Sequence, residues 1–278
     1  MTEKLLELQA LTKRFGRVVI AEDLSLTVSA GDTVGIVGPN GAGKTSLFGL
    51  ISGDLSPDAG EVTFGGKAVT RLDAAARCRL GIGRTYQVPR PFADMTVFEN
   101  VLVAAQQGGG LRRKASYAAA AESLERTGIA GEANLPASRL GLLQRKRLEI
   151  ARALATKPRL LLLDEVAGGL TDPEVTVLVD IVRGINADGV AVIWIEHVVR
   201  ALTSLVSRML CLYGGQFVGD GDPASVLANP KVREIYLGVE VTAEQLAAEA
   251  GGELAGGSAG PGGDGGTGSP PVRDGSST

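Results

Sequence analysis

The chain has 278 residues, 44% apolar and 21% charged, which supplies a sizeable core and excludes global disorder. Lys and Arg number 28 against 31 for Asp and Glu, so a formal charge of −3 leaves no basic excess to hold a nucleic-acid backbone. Two cysteines, Cys78 and Cys211, cannot build a disulfide framework and fit a reducing compartment.

The first residues, Met1-Thr2-Glu3-Lys4-Leu5-Leu6, mix charge and apolarity too early for a signal peptide. No apolar run approaches the roughly 18 residues of a membrane span. A cytoplasmic location is expected. In chain order, residues 5–10, 18–28 and 61–64 are short and β-like and suggest a separate antiparallel patch. Residues 33–37 read as a strand running into a Gly-rich loop, and residues 44–51 as the helix after it. Residues 82–86 form a further strand. Residues 95–107 and 115–127 read as two helices with no strand between them, a helical insert. The rest alternates: helix 148–155, strand 159–163, helix 172–185, strand 190–195. That alternation predicts an α/β fold with a mainly parallel sheet covered by helices. From about Glu240 a fraying helix passes into a flexible Gly-rich tail over 241–278, whose Gly, Ser and Pro cannot bury enough apolar surface to become ordered.

Four strand ends carry candidate chemistry. Gly38-Pro39-Asn40-Gly41-Ala42-Gly43-Lys44-Thr45, followed by Ser46, fits G-x-x-x-x-G-K-[ST]. The glycines let backbone amides turn inward around phosphate oxygens. Lys44 supplies a point charge to the β- and γ-phosphates, Thr45 offers a hydroxyl to Mg²⁺, and the helix beginning there aims its positive end at the nucleotide. The loop therefore predicts ATP-type nucleotide binding. Leu160-Leu161-Leu162-Leu163 ends in Asp164-Glu165. One acid there suits Mg²⁺ and the second suits a general base polarising an attacking water. Solvated acids at a strand end are the plain alternative, weakened by the phosphate loop upstream. Residues 192–195 end in Glu196-His197, the only histidine in the chain. A lone histidine is more often structural, but this one sits at the sheet edge where ligands collect in open α/β folds, within reach of a γ-phosphate. Gln87, after the strand 82–86, is a third polar group in such a position, though most such glutamines are solvated loop residues.

Together these residues resemble the nucleotide-binding subunit of an ABC transporter, with the phosphate loop, glutamine loop, signature helix, acidic strand and histidine switch in the family's order. The resemblance spans residues 5 to 238 and implies a P-loop ATPase over 1–240, with an N-terminal antiparallel β subdomain and a helical subdomain at about 88–147. It implies that Phe15, in Lys13-Arg14-Phe15-Gly16, stacks the adenine, unless it is simply a core aromatic. Gln87 and Asp164 then complete the Mg²⁺ and water shell, Glu165 is the general base, and His197 holds the γ-phosphate.

The finer resemblance is to ATPase subunits of branched-chain amino acid importers. It rests on Gly81-Ile82-Gly83-Arg84-Thr85-Tyr86-Gln87, Met95-Thr96-Val97-Phe98-Glu99-Asn100, Leu148-Glu149-Ile150-Ala151-Arg152-Ala153-Leu154 and Ile235-Tyr236-Leu237-Gly238. These segments recur in urea or amide importers and in lipopolysaccharide-export ATPases. A soluble ABC ATPase, such as an iron–sulfur assembly factor, is the rival class. The importer reading implies two transmembrane permease subunits, a second ABC ATPase chain, an indirectly engaged solute-binding protein, no nucleic acid, and a peripheral place on the inner face of the cell membrane.

The signature departs from the family. Where this branch reads Leu-Ser/Ala-Tyr-Gly-Gln, the chain reads Leu140-Gly141-Leu142-Leu143-Gln144. Gly141 lacks the hydroxyl that donates to the γ-phosphate held by the opposite subunit, a charge-assisted bond of roughly 1.5–3 kcal/mol. Leu143 adds a branched side chain where backbone must approach phosphate. Val166 replaces the usual proline after the general base, and Thr171 the acid or amide of the dimer-contact loop. These departures suggest that the chain's phosphate loop works against a partner's intact signature.

Overall fold

The computed structural model describes residues 3–237, and the expected helix and tail beyond Glu240 lie outside them. β1 (Lys4–Phe15) and β2 (Val18–Ser29) form a long antiparallel hairpin. β3 (Thr33–Val37) leads through the phosphate loop into α1 (Lys44–Ser52). β4 (Ala59–Phe64) and the short β5 (Lys67–Ala68) complete an antiparallel sheet in the order β2-β1-β4-β5, the separate patch read from the sequence.

After α2 (Ala74–Leu80), β6 (Ile82–Arg84) enters a second sheet. It stops two residues before the expected end because Thr85 takes over: its amide still bonds Leu162, while its hydroxyl accepts from the Asp164 amide. α3 (Val97–Val103) opens on a capping box between Thr96 and Glu99 and widens into a π-turn over Ala104–Gly108. One continuous helix over 95–107 is therefore too simple. α4 (Arg113–Arg126) and α5 (Leu142–Ala155) follow. β7 (Leu160–Asp164), α6 (Asp172–Ala187) and β8 (Ala191–Ile195) continue the alternation. Then come α7 (Val199–Thr203), β9 (Arg208–Tyr213), β10 (Gln216–Gly221), α8 (Pro223–Ala228) and α9 (Pro230–Leu237). The β9–β10 hairpin turns on Gly214 and Gly215, both at positive φ.

The second sheet runs β10-β9-β3-β8-β7-β6, parallel except for edge strand β10. Every residue of β3, β7 and β8 is buried, as expected of central parallel strands covered on both faces. Alternate side chains feed two cores. Leu160, Leu162, Ile193 and Ile195 join the core shared with α1 and the antiparallel sheet. Leu161, Leu163, Val192 and Trp194 join the core under α5 and α6. Each fully buried Leu or Ile contributes about 1.5–3 kcal/mol, so these two layers fix where the strands end.

A third core lies among α3, α4 and α5, with Val97, Val101, Leu124 and Leu148 inside it. α5 serves two cores at once: Leu148, Ala151 and Ala155 face this helical core, while Ile150, Ala153 and Leu154 face the sheet. α5 runs on through residue 147.

Candidate functional site

The phosphate loop is tightly folded. Gly38 and Gly43 hold φ of 154° and 99°. A Cβ at Gly38 would stand 2.3 Å from the Leu212 carbonyl oxygen, and one at Gly43 2.7 Å from that of Ile20. Both positions therefore require glycine for close backbone approach as well as for conformation. Pro39 is half-buried, Asn40 and Gly41 exposed, and Ala42 buried under the loop. Lys44 is almost fully buried, and its Nζ donates to the carbonyls of Gly38 (2.8 Å) and Pro39 (3.0 Å). Burial lowers its pKa, opposed by the charges of Glu165 and Asp164. Thr45 is exposed and Ser46 half-buried at the start of α1, where the helix amides have no intrahelical partners.

The C-terminal ends of β6, β7 and β8 bring together Gln87, Asp164, Glu165 and His197, which are far apart in sequence. Gln87 Nε2 donates to Glu165 Oε2 (2.5 Å), and His197 Nε2 lies 2.9 Å from Glu165 Oε1. Glu165 itself has φ of 48°, unusual for a residue with a side chain. Its amide is held by the Ile195 carbonyl (2.9 Å), and its own carbonyl accepts from Lys146 Nζ (3.1 Å). Asp164 is 1% exposed. Its Oδ2 accepts from Arg84 Nη2 (3.3 Å), while its Oδ1 is buried with no partner. Burial pushes the Asp164 carboxyl up, against the pull of Arg84.

The orphaned, buried Oδ1 of Asp164 is a hard oxygen donor of the kind a divalent cation takes, and the exposed Thr45 hydroxyl in the first turn of α1 is a second. Among the described residues no group of three or more His, Cys, Asp or Glu side chains could cage a metal alone. A cation here would take its remaining ligands from phosphate and water, as Mg²⁺ at nucleotide sites does.

Phe15 is half-exposed at the end of β1, with Lys13 Nζ 5.3 Å from its ring centroid. It pairs with Val18 across the hairpin, and two residues further along β2 Ile20 meets Gly43. The hairpin therefore flanks the phosphate loop and presents Phe15 as a surface ring rather than a core aromatic.

The Leu140–Gln144 stretch leads into α5. Leu140 is buried in the helical core, Leu142 is 47% exposed, and Leu143 packs partly on the core under α6. Gly141 is the N-cap and offers no side-chain hydrogen bond, although its φ of −69° and ψ of 176° are the extended cap geometry that serine adopts. Val166 is fully buried, and Thr171 caps α6 in a capping box with Glu174.

Three site residues had no assigned role in the sequence reading: Arg84, Lys146 and Glu196. Glu196 is buried and accepts from the amides of Ala167 and His197 and from Trp194 Nε1, tying the segment after Glu165 to the histidine. Burial raises its pKa, opposed by these donors. The available signals were a cation inside a buried strand for Arg84 and an acid following an apolar run for Glu196. Lys146 has no such signal.

The family model for ABC transporters matches residues 21–168, more than half of the chain. The chain belongs to the ABC transporter ATPase family. A second model, for branched-chain amino acid ATP-binding cassette transporters, matches residues 219–242. The cassette is 34% identical over 253 residues to the high-affinity branched-chain amino acid transport ATP-binding protein LivG of Salmonella typhimurium, covering 86% of this chain and 99% of the relative. The corresponding protein BraF of Pseudomonas aeruginosa is 33% identical over the same coverage. The lipopolysaccharide export ATP-binding protein LptB of Acidithiobacillus ferridurans is 34% identical over 241 residues, covering 84% and 97%. Among solved structures, an ATP-binding cassette of an ABC transporter in its ADP conformation superposes with a TM-score of 0.78 at 29% identity, covering 86% of this chain and all of that one. The cassette is thus an ABC ATPase with the family fold, and no described helix is long and apolar enough to cross a membrane.

Proposed function

We propose that this cassette is the ATP-hydrolysing subunit of an importer for branched-chain or other amino acids. It works from the inner face of the cell membrane against two permease subunits, with a separate solute-binding protein delivering cargo. The hydrolytic part of the reading is carried by the convergence of Gln87 and His197 on the Glu165 carboxylate, beside Asp164 and within the electrostatic reach of Lys44, and the importer part is supported by the similarity to LivG and BraF.

In this mechanism Phe15 stacks the adenine. The backbone of Gly38, Pro39, Asn40, Gly41, Ala42 and Gly43 cradles the phosphates, with Ser46 completing the cradle. Lys44 leaves its loop carbonyls to meet the β- and γ-phosphates. Thr45, Asp164 and Gln87 would hold Mg²⁺, which when bound would neutralise charge developing on the phosphates. Glu165 accepts the proton of the attacking water, and His197 donates to the γ-phosphate. Two cassettes close head to tail, each ATP lying between one phosphate loop and the other chain's signature helix. Because Gly141 and Leu143 weaken this chain's signature, the second cassette is read as a different chain that supplies an intact one. The body of the cassette is residues 1–240, and its helical subdomain at about 88–147 transmits closure to the permease.

Glu165→Gln tests the catalytic assignment. It should bind ATP within about threefold of the parent yet hydrolyse it about a hundredfold or more slower. Near-normal hydrolysis would refute the role. The similarity to LptB supports a second reading, a lipid-export ATPase. Purification of the tagged chain from gently solubilised native membranes separates them. Two permeases plus a second ATPase establish the importer, export components establish the alternative, and a soluble chain with cytosolic partners removes both.

A further inference from the structure

α5 does more than open with the altered signature. Its residues Lys146, Glu149 and Arg152, spaced three apart on one face, grip the backbone of the loop that carries Gln87. Lys146 Nζ donates to the Gln87 carbonyl (3.3 Å), Glu149 Oε1 accepts from the Arg90 amide (3.0 Å), and Arg152 Nη1 donates to the Arg90 carbonyl (3.1 Å). Lys146 also reaches the Glu165 carbonyl (3.1 Å). Its side chain is nearly fully buried, and it makes no ion pair with any described residue. A buried ammonium whose hydrogen bonds go to backbone carbonyls is an unfavourable choice for packing alone, since methionine would fill the space without desolvating a charge. Burial lowers its pKa, while Glu196, Glu165, Glu149 and Asp164 favour the charged form.

The two carbonyls belong to the residues whose side chains meet at 2.5 Å, Gln87 and Glu165. At Glu165 the backbone is also in the left-handed region, a conformation that persists only where the surroundings hold it. We propose that Lys146 is a positioning residue that locks the backbone at Gln87 and Glu165, so that the chain's own hydrolytic carboxylate is set by the seating of its own signature helix. α5 then has two separable tasks. Its N-terminus faces a nucleotide on another subunit and is altered here. Its Lys146–Glu149–Arg152 face serves the chain's own site and is intact. The inference rests on the reading of Glu165 as general base.

The test compares full-length Lys146→Met with Lys146→Arg and Lys146→Gln, which keep N–H donors. The methionine variant should lose about tenfold or more in kcat with ATP affinity and KM within about twofold of the parent. At least one donor-bearing variant should recover most of that loss. In the nucleotide-free protein, amide exchange should accelerate at residues 86–90 and 165–168 in the methionine variant, while β3, β8 and the melting temperature stay near the parent's. Unchanged kcat, or an equal loss in all three variants, would overturn the proposal, as would exchange that rises throughout the fold. If the parent shows no hydrolysis dependent on Glu165, the catalytic reading fails, and local exchange alone then decides whether Lys146 holds the two segments.

Discussion

Replacing Arg84 by methionine should destabilise the nucleotide-free protein by about 3–5 kcal/mol, because it strands the Asp164 carboxylate in the interior. The Arg84 side chain is 9% exposed and that of Asp164 1%. At their separation of 3.3 Å and an effective dielectric of about 20, the attraction is about 5 kcal/mol. That is comparable with the desolvation penalty of a buried carboxylate, so the pair is near balance and its rupture exposes the penalty alone. The second contact of Arg84, to the more exposed Asp54 at 2.8 Å, adds at most about 1 kcal/mol. Methionine keeps the aliphatic stem but loses the guanidinium's contacts with the Phe48 and Tyr86 rings (5.8 and 5.0 Å to the centroids) and its bond to the Ser52 hydroxyl (3.1 Å), so part of the loss is unrelated to Asp164 and the double variant isolates the charge pair. Urea unfolding of Arg84→Met, Asp164→Asn and the double variant measures the effect. Asp164→Asn removes the charge that Arg84 serves, so the double variant should cost about 2 kcal/mol less than the sum of the singles. A loss below about 1 kcal/mol for Arg84→Met, or additive single effects, would refute the reasoning.

Glu99 and Glu174 close capping boxes with Thr96 and Thr171, whose backbone amides and hydroxyls hold both carboxyls below the usual glutamate range. Both release their proton more readily folded than unfolded, so the stability they confer is complete above about pH 4.3 and is lost as pH falls through the lower folded values. Between pH 5 and 3, roughly, the melting temperature of a Glu99→Gln/Glu174→Gln variant should fall less steeply than the parent's; parallel curves would contradict this. Gly141→Ser with Leu143→Gly should raise ATP turnover in the assembled complex. The new Cβ at 141 meets only Gln144 Oε1 at 2.7 Å, the far end of a flexible side chain, on backbone already in cap geometry. No gain in turnover or in ATP-driven dimer closure would sink the asymmetric-site idea.

What was legible in the sequence was local. The phosphate loop is eight contiguous residues, and the acids and the histidine follow directly on apolar runs, so pattern and chemistry coincide. The alternation of strand and helix likewise exposed the parallel sheet, because its central strands are apolar on both faces. Arg84 stayed hidden because its partner Asp164 is 80 residues away and only the sheet order joins them. Lys146 was less visible still, since it binds carbonyl oxygens, which every residue possesses. The β9–β10 hairpin went unread although Gly214-Gly215 between two β-like runs marks it. From Thr85 on the strand expectation failed because a hydroxyl continues the hydrogen bonding without the strand geometry.

The folded-back Lys44 has a consequence for discrimination. Its ammonium is hydrogen-bonded to two carbonyl oxygens of its own loop, so an anion binding there exchanges hydrogen bonds rather than meeting a bare charge. A single orthophosphate must displace the same two bonds as a triphosphate, with far fewer amides, hydroxyls and aromatic surface to offset the exchange. Self-capping by the lysine thereby weighs against small, singly anchored anions and in favour of long, multiply anchored ones.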